Sequence, residues 1–158
     1  MSNVTIKPIS AAETRPMRQR ILRPHQTVEQ LNYPGDDDVD ALHIGAFIDD
    51  TLVGVASFSR QPPPRQDMPD AAETAWRLQG MATTPEVRGT GCGGMLLQAG
   101  IRHVAQNGGT WLWCNGRVNV VGFYQRYGFA RLGQPYERPG TGPHYFLWRM
   151  VTPEDAKI

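Results

Sequence analysis

Val4 to Ile9 alternates apolar and polar residues, the period of a strand with one wet face, and Pro8 places that strand at a sheet edge. Ser10-Ala-Ala-Glu13 has the form of a capping box, a serine with a glutamate three residues on. It predicts a helix reaching about Leu22, closed by Arg23-Pro24. Pro16 has no N–H for a helix interior and is expected to delay the true start. Between His25 and Ala41 the apolar spacing is lost, and the segment reads as a loop or a short second helix. Leu42–Ile48 and Leu52–Phe58 are apolar runs joined by Asp49-Asp50, a hairpin signal.

Gln61 to Asp70 contains Pro62, Pro63, Pro64 and Pro69 and is expected to be an irregular connection. Ala75–Thr83 reads as the next strand. Gly93–Gln106 carries Leu97, Ile101 and Val104 at helical spacing, with Asn107-Gly108-Gly109 as its stop. Trp111–Cys114 reads as a short buried strand and Val118–Tyr127 as a helix capped by Gly128. Phe129–Leu132 and Tyr145–Met150 read as the last strands, with a Pro/Gly-rich turn between them. The order β-α-β-β-β-α-β-α-β-β predicts an α/β protein: one domain over residues 1–158, with a twisted mixed sheet of about six to seven strands and helices on both faces.

Composition changes this picture little. With 158 residues, 40% hydrophobic and 20% charged, the chain suits one ordinary globular domain. No apolar run approaches the roughly 18 residues of a membrane span. The N-terminus also lacks a basic region followed by an apolar core. Cys92 and Cys114 offer neither a disulfide framework nor metal-ligand spacing, so no metal is expected. The expectation is a reduced, cytoplasmic protein without a membrane partner. Strand edges and the C-terminal hairpin make a homodimer plausible.

Charge is more informative. The net charge is +1, yet twelve of the fifteen acids lie before Val87, and Val87 to Tyr136 holds five arginines and no acid. Such a stretch suits an anionic ligand. Lysine occurs only at positions 7 and 157, which argues against nucleic acid.

The segment Arg88-Gly-Thr-Gly-Cys-Gly-Gly94 lies between a strand and a helix, where glycines let backbone approach a ligand and the helix start favours an anion. A nucleotide-hydrolase phosphate loop needs Gly-Lys-Ser/Thr, and no lysine is near. Gly89, Gly91 and Gly94 satisfy G-x-G-x-x-G, but after roughly the fourth strand, and with no acid before Glu137 to take a ribose. A nicotinamide-dependent oxidoreductase is therefore a poor fit. Arg88, Gly91 and Gly93 satisfy R-x-x-G-x-G, and Gly122-Phe123-Tyr124-Gln-Arg-Tyr-Gly128-Phe129 follows downstream. With both motifs the chain resembles the GNAT N-acetyltransferase superfamily from Val4 to about Met150. The acidic Asp36–Asp40 loop leading to His43, and Gly142-Pro143-His144 before the last strand, resemble its small bacterial ElaA-type members.

The resemblance implies acetyl transfer from acetyl-CoA to a primary amine of a small molecule or peptide, with an acyl-CoA-binding core at about 75–130. A non-catalytic acyl-CoA-binding module is the alternative. By the same resemblance Met81, Ala82 and Thr83 meet the pantetheine arm, a backbone N–H near Ala82 or Thr83 polarises the thioester carbonyl, and Arg88, Gly89, Thr90, Gly91, Cys92, Gly93 and Gly94 wrap the pyrophosphate. Tyr124 matches the general acid. Many members carry a cofactor-contacting asparagine where this chain has Arg117; the flanking Asn115 and Asn119 are expected to stand in for it, or Arg117 to bind phosphate instead. For the general base the candidates are His144 and His43, which titrate in the useful range, and the acids Glu73 and Glu137; the resemblance favours His144, because the last strands border the acceptor site in that family. The acidic segment before Ala41 could draw in a cationic acceptor.

Overall fold

The computed structural model describes residues 3–64 and 73–157. Pro69 and the end of the proline-rich connection lie outside them. Seven strands form one sheet: β1 (Val4–Pro8), β2 (Leu42–Ile48), β3 (Thr51–Arg60), β4 (Ala75–Thr83), β5 (Trp111–Arg117), β6 (Ala130–Arg138) and β7 (Gly142–Met150). Their order is β1-β2-β3-β4-β5-β7-β6, with β4 and β5 parallel and every other pair antiparallel. The β2–β3 hairpin turns at Asp49 and Asp50, both at positive φ (49° and 67°). That left-handed pair is what a two-residue turn needs to match strand twist, and aspartate tolerates it.

Helices cover both faces, as expected. α2 (Cys92–Gln106) sets Leu96, Leu97, Ile101 and Val104 against Phe58, Trp76 and Leu78. Gly100 permits this close approach, since a β-carbon there would enter the Phe58 ring. On the opposite face α1 (Ala11–Met17) places Met17 against Val55 and Ala82, with Ile21 and Leu22 packed alongside.

Several boundaries differ from expectation. The capping box forms at Ser10 and Glu13, and α1 starts there rather than after Pro16. Pro16 is accommodated inside the helix, which then widens into a π-turn over Arg18–Leu22. The polar segment contains a 3-10 turn, Val28–Leu31. The helix expected at Val118–Tyr127 is a 3-10 turn (Val118–Val120) followed by α3 (Val121–Gln125). β6 and β7 are longer than expected. Gly133, at φ 79°, and a register shift between Leu132 and Tyr136 absorb Pro135 into a bulge, so that break lies inside a strand.

One irregularity positions the site. β4 pairs with β5 only over Ala75–Arg77, opposite Trp111–Trp113. Beyond Arg77 its contact with β3 slips a register between Val55 and Ser57, leaving Gly80 and Met81 as a bulge with Gly80 at φ 63°. A bulge bends and twists its strand, and here β4 and β5 separate, leaving the β5-facing backbone edge of β4 unpaired from Leu78 onward.

Candidate active site

The fork between β4 and β5 opens into a cleft of about 850 Å³. Met81, Ala82 and Thr83 line it from the separated strand, and Arg88, Gly89, Gly91, Cys92, Gly93 and Gly94 from the loop and first turn of α2. Arg117, Asn119, Tyr124 and His144 line it from the far side. Of the residues expected to bind the cofactor, Thr90 alone does not line the cleft. Its hydroxyl turns back to donate to the Val87 carbonyl, which holds the loop in shape.

The loop's conformation follows from its glycines. Gly89 and Gly91 sit at φ 81° and 89°, a region L side chains seldom adopt, and β-carbons there would meet nothing within 4 Å. Their role is backbone shape beside open space. Gly94 serves packing instead, because a β-carbon there would run into the Tyr127 hydroxyl, whereas one at Gly93 would make an ordinary contact with Phe123 at 3.4 Å. Gly91 is the N-cap of α2 and supplies no side chain to the first-turn N–H groups. Those donors, the positive end of a fifteen-residue helix and Arg88 beside them form a site suited to a pyrophosphate. The residues present therefore fit the diphosphate end of an acyl-CoA.

Tyr124 is buried on α3, edge-on to Phe123 (5.1 Å between centroids) and Phe129 (5.4 Å). Burial, then the neighbouring Cys114, raises its phenol pKa well above the usual value, so the hydroxyl keeps its proton at neutral pH. His144 Nδ1 lies 2.8 Å from the Gly142 carbonyl oxygen. A carbonyl can only accept, so Nδ1 carries the hydrogen and Nε2 keeps its lone pair. Burial lowers the His144 pKa. The Gly142 bond opposes that shift, while Arg138, Arg117 and Arg23 add to it. Cys92 and Cys114 are both free and buried; burial raises the Cys92 thiol and pushes Cys114 up to about 12, which makes both poor nucleophiles. Arg117 donates to the Leu22 carbonyl at 3.3 Å, tying β5 to the end of the π-turn.

The other candidate bases lie elsewhere. Glu73 and Glu137 are exposed and do not line this cleft. His43 is buried, with Nε2 donating to the Asp36 carbonyl (2.9 Å) and Nδ1 accepting from Ser57 Oγ (2.7 Å), so no lone pair remains for catalysis. The acidic segment is committed internally at two of its acids. Asp36 takes both Nη atoms of the fully buried Arg18 (2.6 and 3.0 Å), and Asp40 pairs with Arg60. Its expected attraction for a cationic acceptor is thereby reduced to the exposed Glu29, Asp37 and Asp38.

Asn115, one of the two asparagines flanking Arg117, also lines the cleft. Sequence reasoning missed Arg77 and Arg138, which line it too, and Gly80, on which its bend depends. The signals were present: an arginine and a glycine inside the otherwise apolar Ala75–Thr83 run.

Residues 8–129 match the Acetyltransferase (GNAT) family. The chain is 39% identical over 146 residues to the uncharacterized N-acetyltransferase YitI of Bacillus subtilis (strain 168), covering 92% of this chain and 95% of that one. In fold it is similar to Escherichia coli ElaA, with TM-score 0.71 and 18% identity over 94% of this chain and 99% of that one. The ribosomal-protein-S18-alanine N-acetyltransferase of Escherichia coli also has TM-score 0.71, at 14% identity over 95% of each chain. The chain belongs to the GNAT acetyltransferase family. It is a small N-acetyltransferase.

Proposed function

We propose that this enzyme moves an acetyl group from acetyl-CoA to a primary amine by direct attack of the amine on the thioester. The observation that carries the reading is the meeting, in one cleft, of the glycine turn, the unpaired edge of β4, the buried Tyr124 and the Nε2 face of His144. Arg88 to Gly94 would hold the diphosphate, and the edge of Met81–Thr83 would pair with the amide-bearing arm. Asn119 and Arg117, from the opposite wall, would contact the cofactor, within a binding core at about 75–130. When bound, acetyl-CoA supplies an activated acyl group with a thiol leaving group.

The chain's own residues handle the protons. An ammonium, with a pKa of about 10, has no lone pair for attack, so the amine reacts in its neutral form and a base takes the proton that the nitrogen loses as the new bond to the acyl carbon forms. His144 is neutral at pH 7 because its pKa is depressed, and its free Nε2 accepts that proton. Tyr124 keeps its own proton for the departing sulfur.

The sign of the His144 shift gives a test. A depressed pKa leaves the base active to lower pH, so the acid limb of kcat/KM should have its midpoint below about 6.5, the ordinary imidazole value. His144→Gln should remove that limb and lower kcat/KM by roughly 10²–10⁴-fold. An unchanged limb in the variant would take the base role from His144.

A further inference from the structure

Beside the fork, a second cavity of about 480 Å³ shares Arg77, Asn115 and Arg138 with the main cleft and adds Trp113, Tyr136 and Phe146 to its walls. Asn115 presents its amide oxygen to Arg77 Nη2 (3.3 Å) and Arg138 Nη1 (3.0 Å), while its amide nitrogen donates to the Tyr136 hydroxyl. The reverse orientation would set an NH₂ against two guanidiniums. Arg77 also reaches Gln61 Oε1 at 3.3 Å and stacks 4.8 Å over the Trp113 ring, yet its Nε is buried with no partner among the described residues.

Two guanidiniums thus converge on one neutral oxygen. Arg18, Arg60 and Arg149 each pair with an aspartate, whereas among the described residues neither Arg77 nor Arg138 forms an ion pair. Burial, and then Arg138, lower the Arg77 pKa, as expected of a cation held beside another without a counter-charge. A planar carboxylate fits such a pair of forks. The diphosphate of the donor is remote: Arg77 precedes Thr83 by six strand residues, about 20 Å of extended chain, and the glycine turn lies beyond Thr83. The reacting region is near. Tyr136 sits opposite His144 in the β6–β7 register with their rings stacked 6.5 Å apart, and Arg138 sits opposite Gly142.

We infer that the acceptor is an amino-carboxylate of amino-acid size. Its carboxylate binds Arg77 and Arg138, its body lies in the cavity the two arginines share with the main cleft, and its amine faces His144. This rests on the acetyl-transfer reading above and names the acceptor class for the same site.

Isothermal titration with 3-phenylpropionate and with its neutral analogue 3-phenylpropanamide tests the assignment, using native protein, Arg138→Gln and Arg77→Lys. The acid should bind native protein roughly ten- to a hundredfold more tightly than the amide, the range for a hydrogen-bonded charge. Arg138→Gln should collapse that ratio toward one, and Arg77→Lys, which keeps the charge but loses the fork, should reduce it. Equal binding of acid and amide, an unchanged ratio in Arg138→Gln, or no binding of either at about 10 mM overturns the assignment. Acetyl-CoA is titrated separately into native protein. Absent binding there, with the acid preference intact, overturns the acceptor role through the failure of acetyl transfer, a distinguishable result.

Discussion

Tyr124→Phe is expected to lower kcat by roughly 10²–10⁴-fold, the range for losing a positioned general acid. Acetyl-CoA affinity should stay within about twofold of native. The variant removes one oxygen and keeps the ring that packs against Phe123 and Phe129, so folding should be little affected. A phenol whose pKa is raised by its surroundings holds its proton at neutral pH and can pass it to a leaving sulfur, while phenylalanine has nothing to pass. Steady-state kinetics beside a calorimetric acetyl-CoA titration checks both halves. An unchanged kcat would leave Tyr124 as packing only.

The second large effect concerns stability. Asp36→Ala should cost about 3–5 kcal/mol, because it leaves the Arg18 guanidinium, with 0% side-chain exposure, as an uncompensated buried charge. Arg18 also donates to the Leu31 carbonyl (2.9 Å) and Ser57 Oγ (2.8 Å) and lies 4.2 Å from the Tyr33 ring centroid. Its Nε sits 2.7 Å from where a β-carbon of Gly80 would be, so the network props the β4 bulge from behind. Denaturation by urea should show the loss. Arg18→Met combined with Asp36→Ala should recover part of it, since the orphaned charge is then gone. If Asp36→Ala unfolds like native protein, the pair does not support the bulge.

This network also marks the limit of what the chain reveals unaided. Local signals were readable: the capping box at Ser10, the Asp49-Asp50 turn, the α2 stripe and the glycine turn each depend on neighbours within a few residues. The candidate cleft was largely readable too, because its wall is built from two continuous motifs around Arg88–Gly94 and Tyr124. Pairings across long separations were not. Nothing near Asp36 in sequence tells that it meets Arg18 across the π-turn, so the acidic segment read as a surface field. Arg77, Asn115 and Arg138 come from three strands that only the sheet brings together. Gly133 and Pro135 misled for a related reason, since a bulge inside β6 carries the same local signature as a strand end.

The most direct test of the account is thermal stability with acetyl-CoA, CoA and NAD, each at saturating concentration. A ligand at about 100 times its Kd stabilises the folded state by about 2.7 kcal/mol, which for a chain of this size is roughly 5–10 °C. The account predicts that shift with acetyl-CoA and CoA and none with NAD. No shift with either CoA species, or an equal shift with NAD, would contradict the assignment of the Arg88–Gly94 turn to an acyl-CoA diphosphate.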